Sequence, residues 1–450
     1  MKRKFLALLL IGVFLTAAPA HALLFWNFSK KEQPQKPVIA APAPDSLTLL
    51  ESYHLALKKS ETVALSAEEI NQAQARFYRS FNYFLPTVHF LMSDTYRDVN
   101  GDSGSSSGIS SDSGRRSTPE NKFTFTQPLF SGFKEIAAIQ GSGADKKQQF
   151  LNWKRAKELL FVDVMNAYYA VLQAQKNVHT LARTHRLGTH RLRELDKKIR
   201  VGRLRAADKQ TSLADLKLAE SDLVQALSIL AVSRNLLEFY IGQPLVGRVL
   251  TDEEIPGEIM RTSETAAQAK SRSDVAAREQ GYIVAEKKVT AAQADLFPTV
   301  SASGNYYTRR VGFQSGDNWD VTVQMDVPIF EMGKTFGDIK EAVSTRESQR
   351  LLWQQSRRMA ELDIQNALQD LQFQHQREKA LWKARKAYEK NYEFVSADYN
   401  RSLVNNLDVL DALRRLQEVE LRYNEAYFLM KESYWKFKAA VGEVLNGVEQ

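Results

Sequence analysis

The sequence predicts a mainly α-helical chain built as a tandem repeat, in which long antiparallel helical hairpins carry two amphipathic β-hairpins. Three observations predict it. The same proline-aromatic punctuation recurs at an offset of 200 residues. Two regions alternate apolar and polar residues with period two, as strands do. Two stretches of more than 60 residues lack proline and repeat apolar positions every three or four residues, as helices do.

The chain has 450 residues, of which 44% are hydrophobic and 25% charged, a composition that folds rather than stays disordered. It opens with Lys2, Arg3 and Lys4, the apolar run "FLALLLIGVFLTAA" and an Ala20-x-Ala22 site. These are the parts of a signal peptide spanning residues 1–22. Its removal takes three cations from the net charge of +8 and leaves +5. An exported chain of that charge is not expected to bind nucleic acid. The apolar run is shorter than the ~20 residues a membrane-spanning helix needs, and no later segment is long and apolar enough to span as one. There is no cysteine, which excludes disulfides, thiolate metal ligands and a cysteine-linked lipid anchor. Residues 23–44 are rich in Pro and Lys and read as an extended linker.

From about Leu47 to Phe84 the pattern is helical, until Pro86 stops it in "FLPTV". The stop returns downstream as "LFPTV", with Pro298. Each is followed by an alternating segment, a polar loop, a second alternating segment and a corner, "TQPLFSGFK" or "DVPIFEMGK". Pro128 and Pro328, Lys134 and Lys334, and Asp208 and Asp408 all fall on the 200-residue offset. The expected division is repeat 1 over 45–240, with its β-hairpin at about 85–130, and a connector over 241–260. Repeat 2 follows over 261–442, with its hairpin at about 297–330, and a tail over 443–450.

In "WDVTVQMDV", Trp319, Val321, Val323, Met325 and Val327 share one face, opposite Asp320, Thr322, Gln324 and Asp326. "KFTFTQ" repeats the alternation with Phe123 and Phe125. A sheet over a soluble core and an outer-membrane barrel both produce this pattern. The loops "NGDSGSSSGISSDSGRRSTPEN" and "RRVGFQSGDN" are strongly polar. Counting adds a constraint. One chain offers four strands, a spanning sheet must close, and single-chain barrels begin at about eight strands. If the hairpins enter a membrane, several copies of the chain share one barrel.

The proline-free stretches run from Lys134 to about Arg200 and from Lys334 to about Tyr399. At 1.5 Å per residue each is roughly 100 Å long. Each is followed by a polar turn and a returning helix, a length suited to the staves of a tall assembly.

The stretch "NNLDVLDAL" places Asp408 and Asp411 nearly one helical turn apart. By residue type alone such a pair serves as an acid/base couple, half a metal site, a charged channel ring or a solvated helix edge. Other chemistry is sparse. "GSSSG" (104–108) lies in a Ser/Gly loop without the strand-to-helix setting of a nucleophile elbow. His179, His185 and His190 are spaced too unevenly to share a helical face. No G-x-x-x-x-G-K-[ST] loop is present. No enzymatic activity, cofactor or metal is expected.

Taken together, the "FLPTV" and "LFPTV" openings, the "PLFSG" and "PIFEMG" corners and the turns "VGRLRAAD" and "YNRSLVNNLDVLDA" resemble the TolC-like outer-membrane efflux and secretion channels. "TYRDVNG" at the first hairpin tip adds to the resemblance, which covers the chain from about residue 45. It implies a homotrimer in outer-membrane lipid. Its fold would be a shared 12-stranded β-barrel above a trimeric α-barrel crossing the periplasm. It implies an equatorial zone around "GQPLVGRVLTDEEIPGEIM", and partners in a periplasmic adaptor and an inner-membrane pump. The duct would be passive and serve efflux or type I secretion. By resemblance, Asp408 and Asp411 form stacked carboxylate rings at the periplasmic gate, where they favour cations and crowding raises some of their pKa values. Tyr399 and Asp208 are implied to make a contact that holds the gate shut. Val201, Gly202, Arg203, Arg401 and Ser402 are implied to form the adaptor-facing tip. The sequence departs from the pattern at Val404, where an arginine is usual, and at Ser402, where a glycine is usual; Arg203, Arg205 and Arg401 lie nearby. The rival is a soluble periplasmic coiled-coil scaffold or adaptor, which accounts for the helices but poorly for the duplicated hairpins.

Overall fold

The computed structural model describes residues 46–96, 117–200, 205–255, 269–311 and 315–444. The signal peptide, the linker, the first hairpin loop, Val201, Gly202, Arg203, the end of the connector and the last residues of the tail lie outside this set.

In chain order, repeat 1 contributes β1 (Ser46–Leu47), α1 (Leu49–Lys59), α2 (Glu61–Ser80), β2 (Thr87–Tyr96), β3 (Ser117–Ser131), α3 (Lys134–Arg200) and α4 (Ala206–Ile241). After β4 (Val249–Leu250) come α5 (Ser273–Ala294), β5 (Thr299–Arg310), β6 (Trp319–Asp326), α6 (Met332–Asn400) and α7 (Asn406–Val441). The 200-residue offset holds for the returning helices. Helices α4 and α7 are both 36 residues long. They end on Gly242 and Gly442, whose φ of 66° and 82° is the left-handed cap that glycine supplies without a Cβ clash. Helices α3 and α6 run 67 and 69 residues, about 100 Å each.

Three details differ from the sequence expectation. The single helix expected from Leu47 to Phe84 is broken at Ser60, whose extended backbone ends α1 while its hydroxyl accepts from the Val63 N–H to cap α2. Residues 46–47 are not helical but pair in parallel with Val249–Leu250. Pro128 was expected at a corner and instead sits inside β3, beside a register irregularity. A residue without an N–H is tolerated in a strand at such a break in the ladder.

The two hairpins form one antiparallel sheet in the order β2-β3-β5-β6, joined through β3 and β5. Directly paired residues share a face, so Phe90, Phe123, Tyr306 and Trp319 line up across all four strands. Val88, Phe125, Gly304 and Val321 form the next row. This apolar face is uncovered, Val323 being 65% exposed. The opposite face is a polar network. Thr124 donates to Asn305 (2.9 Å), while Asn305 and Tyr307 donate to the two oxygens of Asp320 (2.8 and 2.7 Å). A bulge in the β3–β5 register brings Arg310 opposite Glu120, and its guanidinium lies 4.0 Å from the Tyr307 ring centre.

The helices lie side by side. Towards the sheet, α3 packs on α2 and α5, and α5 on α6. Away from it, α3 packs on α4 and α7, and α7 on α6. The long helices α3 and α6 therefore run through both halves. The main core lies at mid-length, where Tyr53 of α1 and Phe161, Val164, Met165 and Tyr168 of α3 pack with Leu237 of α4 and Phe428 of α7. The Tyr168 hydroxyl lies 2.8 and 2.6 Å from the carbonyls of Leu47 and Thr251, fastening both β1 and the end of β4 to α3. Lys431 of α7, 2% exposed, pairs with Asp252 and donates to the Glu253 carbonyl at 2.8 Å. A buried cation needs such partners, and these hold the connector across α7. Among the described residues no helix is long and apolar enough to cross a membrane.

Candidate functional site

The acid pair sits on the first turns of α7, at the end of the helical region remote in sequence from the strands. Asn405 caps the helix. Its side-chain oxygen accepts from the Asp408 N–H at 3.0 Å, and the Asp408 carboxylate accepts from the Asn405 N–H at 3.0 Å. This reciprocal box satisfies two donors at the helix start and sets a negative charge against the positive end of the helix dipole. Among the described residues no cation pairs with Asp408. Asp411, one turn on, differs. It accepts from Arg415 Nε at 2.7 Å and from Arg414 Nη2 at 3.0 Å. Those bonds, Arg415 first, hold its carboxyl below the usual carboxylate range. The direction within one chain is thus opposite to the rise expected from crowded like charges.

Tyr399 closes the other side of the tip. Among the described residues the Tyr399 hydroxyl is buried without a hydrogen-bond partner. The ring lies beneath two cations of α3, with the Arg191 guanidinium 3.4 Å and Lys198 Nζ 4.0 Å from its centre. Cations over an aromatic face gain roughly 0.5–2 kcal/mol, more when desolvated. Arg191 Nε also donates to the Asn406 side-chain oxygen at 3.0 Å, and Asn406 Nδ2 donates to Ser212 at 2.8 Å. One buried cluster therefore joins α3 (Arg191), α4 (Ser212), α6 (Tyr399) and α7 (Asn406). Val404 packs against the apolar group of Leu195, Tyr399 and Val409, so the position expected to hold an arginine is filled by packing.

The turn geometry accounts for the other departure. Ser402 has φ of 62°, a left-handed conformation that glycine adopts freely and serine only at a cost. Its N–H bonds the Tyr399 carbonyl at 3.0 Å, and Leu403 N–H bonds the Asp398 carbonyl at 2.9 Å, closing the end of α6. Arg401 and Ser402 are exposed. Asp208 is partly buried in the first turn of α4.

Sequence reasoning missed Arg191, Ser212, Asn406 and Glu420, although a signal existed. Buried and half-buried positions recur in steps of three and four along α3 (Leu181, Thr184, Gly188, Arg191, Leu195) and α7 (Asn406, Val409, Leu413, Leu416, Glu420). That is a heptad seam, and a charged or amide side chain within it marks an internal contact. Gly188 has such a reason: a Cβ there would meet Leu216 Cδ1 of α4 at 3.2 Å. Glu420, 4% exposed, pairs with Arg183 of α3 and lies 3.9 Å from Arg385 of α6. These residues border a cavity of about 400 Å³ that also contains Lys176, His179 and Tyr423. A second hollow of about 390 Å³ lies between α4 and α7, with Leu216, Leu407 and Leu410 on its walls and Asp411 at its edge. Among the described residues no group of three or more His, Asp or Glu is placed to hold a metal ion.

The comparisons with known proteins agree with this architecture. The family model described as "Outer membrane efflux protein" matches residues 52–243 and 266–443. The chain is 20% identical over 380 residues to the cation efflux system protein CusC of Escherichia coli O157:H7, covering 80% of this chain and 78% of that one. Among solved structures, the CmeC outer membrane channel of Campylobacter jejuni superposes with a TM-score of 0.78 at 15% identity, covering 88% of this chain and 85% of that one. The open state of the MtrE outer membrane channel of Neisseria gonorrhoeae superposes with a TM-score of 0.71 at 19% identity, covering 88% of each chain.

Proposed function

This chain belongs to the outer membrane efflux protein family, and we propose that it works as a homotrimer whose copies share one β-barrel in the outer membrane and one helical barrel across the periplasm. It is an outer-membrane efflux channel. The observation that carries the shared barrel is the sheet itself. Strands β2 and β6 are open edges, one face is apolar and uncovered, and the other is a hydrogen-bonded polar network. Lipid cannot satisfy an open edge, and four strands are too few to close, so several copies share the barrel; three copies giving twelve strands is the number that the family resemblance implies. The helical row supports the same assembly. Its flanking helices present exposed apolar side chains, Ile229, Val232 and Phe239 on α4 and Leu351, Met359 and Phe373 on α6. Those faces are covered when α4 of one copy meets α6 of the next.

In the trimer, Asp408 and Asp411 of three copies form the carboxylate rings of the periplasmic entrance, with Asp208 and Tyr399 beside them. Val201, Gly202, Arg203, Arg401 and Ser402 face a periplasmic adaptor, and an inner-membrane pump supplies the energy, the duct itself being passive. The curated relatives are described in different settings, one as a cation efflux protein and another as nodulation protein T of Rhizobium leguminosarum bv. viciae. The cargo is therefore assigned to the pump, in efflux or in type I secretion. A soluble periplasmic scaffold is disfavoured because it leaves the apolar sheet face in water.

Membrane fractionation and cross-linking test this reading. Recovery in the outer membrane as a cross-linked trimer that conducts in planar bilayers is expected. Recovery as a soluble periplasmic monomer would sink it.

A further inference from the structure

We infer that the cavity between α3, α6 and α7 is a binding site for a small aromatic carboxylate, held by Arg385 and Lys176 against the Tyr423 ring. The site is separate from the entrance and does not rest on the reading of the acids there.

Charge identifies the ligand as an anion. The cavity of about 400 Å³ has Lys176 and Arg183 of α3 and Arg385 of α6 on its walls, against the acids Asp252 and Glu420. Both acids are already answered. Lys431 pairs with Asp252, which also accepts from the Tyr427 hydroxyl at 3.2 Å. Arg183 takes both oxygens of Glu420, whereas Arg385 approaches only one of them, at 3.9 Å. Lys176 is exposed and, among the described residues, makes no ion pair. The cavity is therefore left with Arg385 and Lys176 as cations in want of a partner. The Arg385 side chain is 31% exposed, so an anion reaching it is attracted across a partly desolvated space, where charges act more strongly than in open water. Glu378, the acid beside the Tyr423 hydroxyl, is not among the walls.

Size and lining identify the rest of the ligand. Small-molecule sites span roughly 300–1,000 Å³, so a bare oxyanion leaves most of this cavity unfilled. The Arg385 guanidinium lies 5.2 Å from the centre of the Tyr423 ring. A carboxylate engaged by that planar fork carries its body against Tyr423 and, one turn on, Tyr427. The two rings are half-buried, with centres 6.0 Å apart, and a flat aromatic body packs well against such rings. Glu420 is the internal competitor. Its carboxylate occupies the same two arginines that an incoming acid would use, and so sets how tightly the site binds.

The test is calorimetric titration of 2-naphthoate into the assembled protein in lipid nanodiscs, with the signal of empty nanodiscs subtracted. Inorganic phosphate and 2-naphthylmethylammonium are the comparison probes. Naphthoate is expected to bind about tenfold tighter than phosphate, and the ammonium not to bind. Lys176→Met and Arg385→Met should each weaken naphthoate about tenfold, the scale of one charged hydrogen bond. Tyr423→Leu should narrow the gap between naphthoate and phosphate. Glu420→Gln should tighten naphthoate, because it frees both arginines; a Glu420 that served only to hold the helices would give weaker binding on its removal. If Arg385→Met or Glu420→Gln does not assemble, the exposed change Lys176→Met and Tyr423→Leu carry the test. Wild-type protein that shows neither heat nor a raised unfolding temperature with naphthoate overturns the site, as does naphthoate binding that Lys176→Met and Tyr423→Leu leave unchanged. Equal binding of the ammonium overturns the charge assignment, and phosphate binding as tight as naphthoate overturns the aromatic one. Conductance in planar bilayers reads the channel function separately, so failure of the site and failure of the channel reading are distinguishable.

Discussion

Asp411 accepts a hydrogen bond from Arg415 at 2.7 Å, a pairing made within a single turn of α7. With Arg414 also on its carboxylate, the charge of Asp411 is largely compensated by its own helix, whereas that of Asp408 is not. The two acids are unequal, and an account that treats them as equivalent rings misses this. Asp408→Asn should therefore weaken divalent block and cation preference more than Asp411→Asn. Removing the compensating cations in Arg414→Gln/Arg415→Gln protein should strengthen both. These arginines are well exposed, so their effect should shrink as ionic strength rises. Single-channel recordings at low and high salt decide it; equal effects of the two Asp→Asn changes would contradict the asymmetry.

Ser402 holds a left-handed backbone at the end of α6. Ser402→Gly should relieve about 1 kcal/mol of local strain, and slow amide exchange in the last turn of α6 by roughly fivefold. A β-branched residue there should do the reverse. Unchanged or faster exchange in the glycine variant would show that the turn is not strained.

Arg272, 4% exposed, links the start of α5 to α6 by gripping Asp274 with both arms of its fork (2.8 and 2.6 Å) and Asp363 at 3.1 Å. Burial alone would push the Asp274 carboxyl up, but the Arg272 bonds and charge outweigh it and the net position is below the usual range. An acid with a depressed folded-state pKa adds stability above its unfolded value, near pH ~3.9, and loses it as pH falls through the folded value. Unfolding followed by helical signal between about pH 6 and about pH 2 should show this loss in wild type and a flatter profile in Arg272→Met. At neutral pH that variant should cost about 2 kcal/mol, less than a fully buried pair because Asp363 is 46% exposed. A profile identical to wild type would rule the pair out as a source of acid sensitivity.

Neighbouring residues of β6 should respond oppositely to the same charge. Val323 lies on the uncovered apolar face and Gln324 on the polar one. An arginine on the lipid side near mid-membrane costs about 2–4 kcal/mol, while one on the lumen side is tolerated. Val323→Arg should reduce trimer recovered from the outer membrane and Gln324→Arg should not. The opposite ranking would invert the assigned faces.

Much of the architecture was legible because it is written in local patterns. Proline stops, period-two alternation and three-four spacing each act within a few residues, and the internal duplication carried them into both halves. The breaks at Ser60 and Pro128 were not legible. The first is a capping choice by a hydroxyl and the second a strand irregularity that depends on β5, a partner more than 160 residues away. At the tip, the acids were legible from their spacing but their partners were not. Arg414 and Arg415 stood three and four residues from Asp411 and could have been paired with it from helical geometry alone. Arg191 could have been suspected only from its place in a heptad seam.

By itself, then, the sequence determined the repeat, the strands with their two faces, the lengths of the staves and the far-end position of Asp408 and Asp411. Tertiary structure alone decided that β3 pairs with β5, that Arg191 lies over the Tyr399 ring, and that Asn406 joins three helices through one amide. The physical reason is range. Elements follow from backbone and side-chain preferences within a turn or two, whereas partners across 180 or more residues are chosen by which buried polar groups can satisfy one another once the helices have packed.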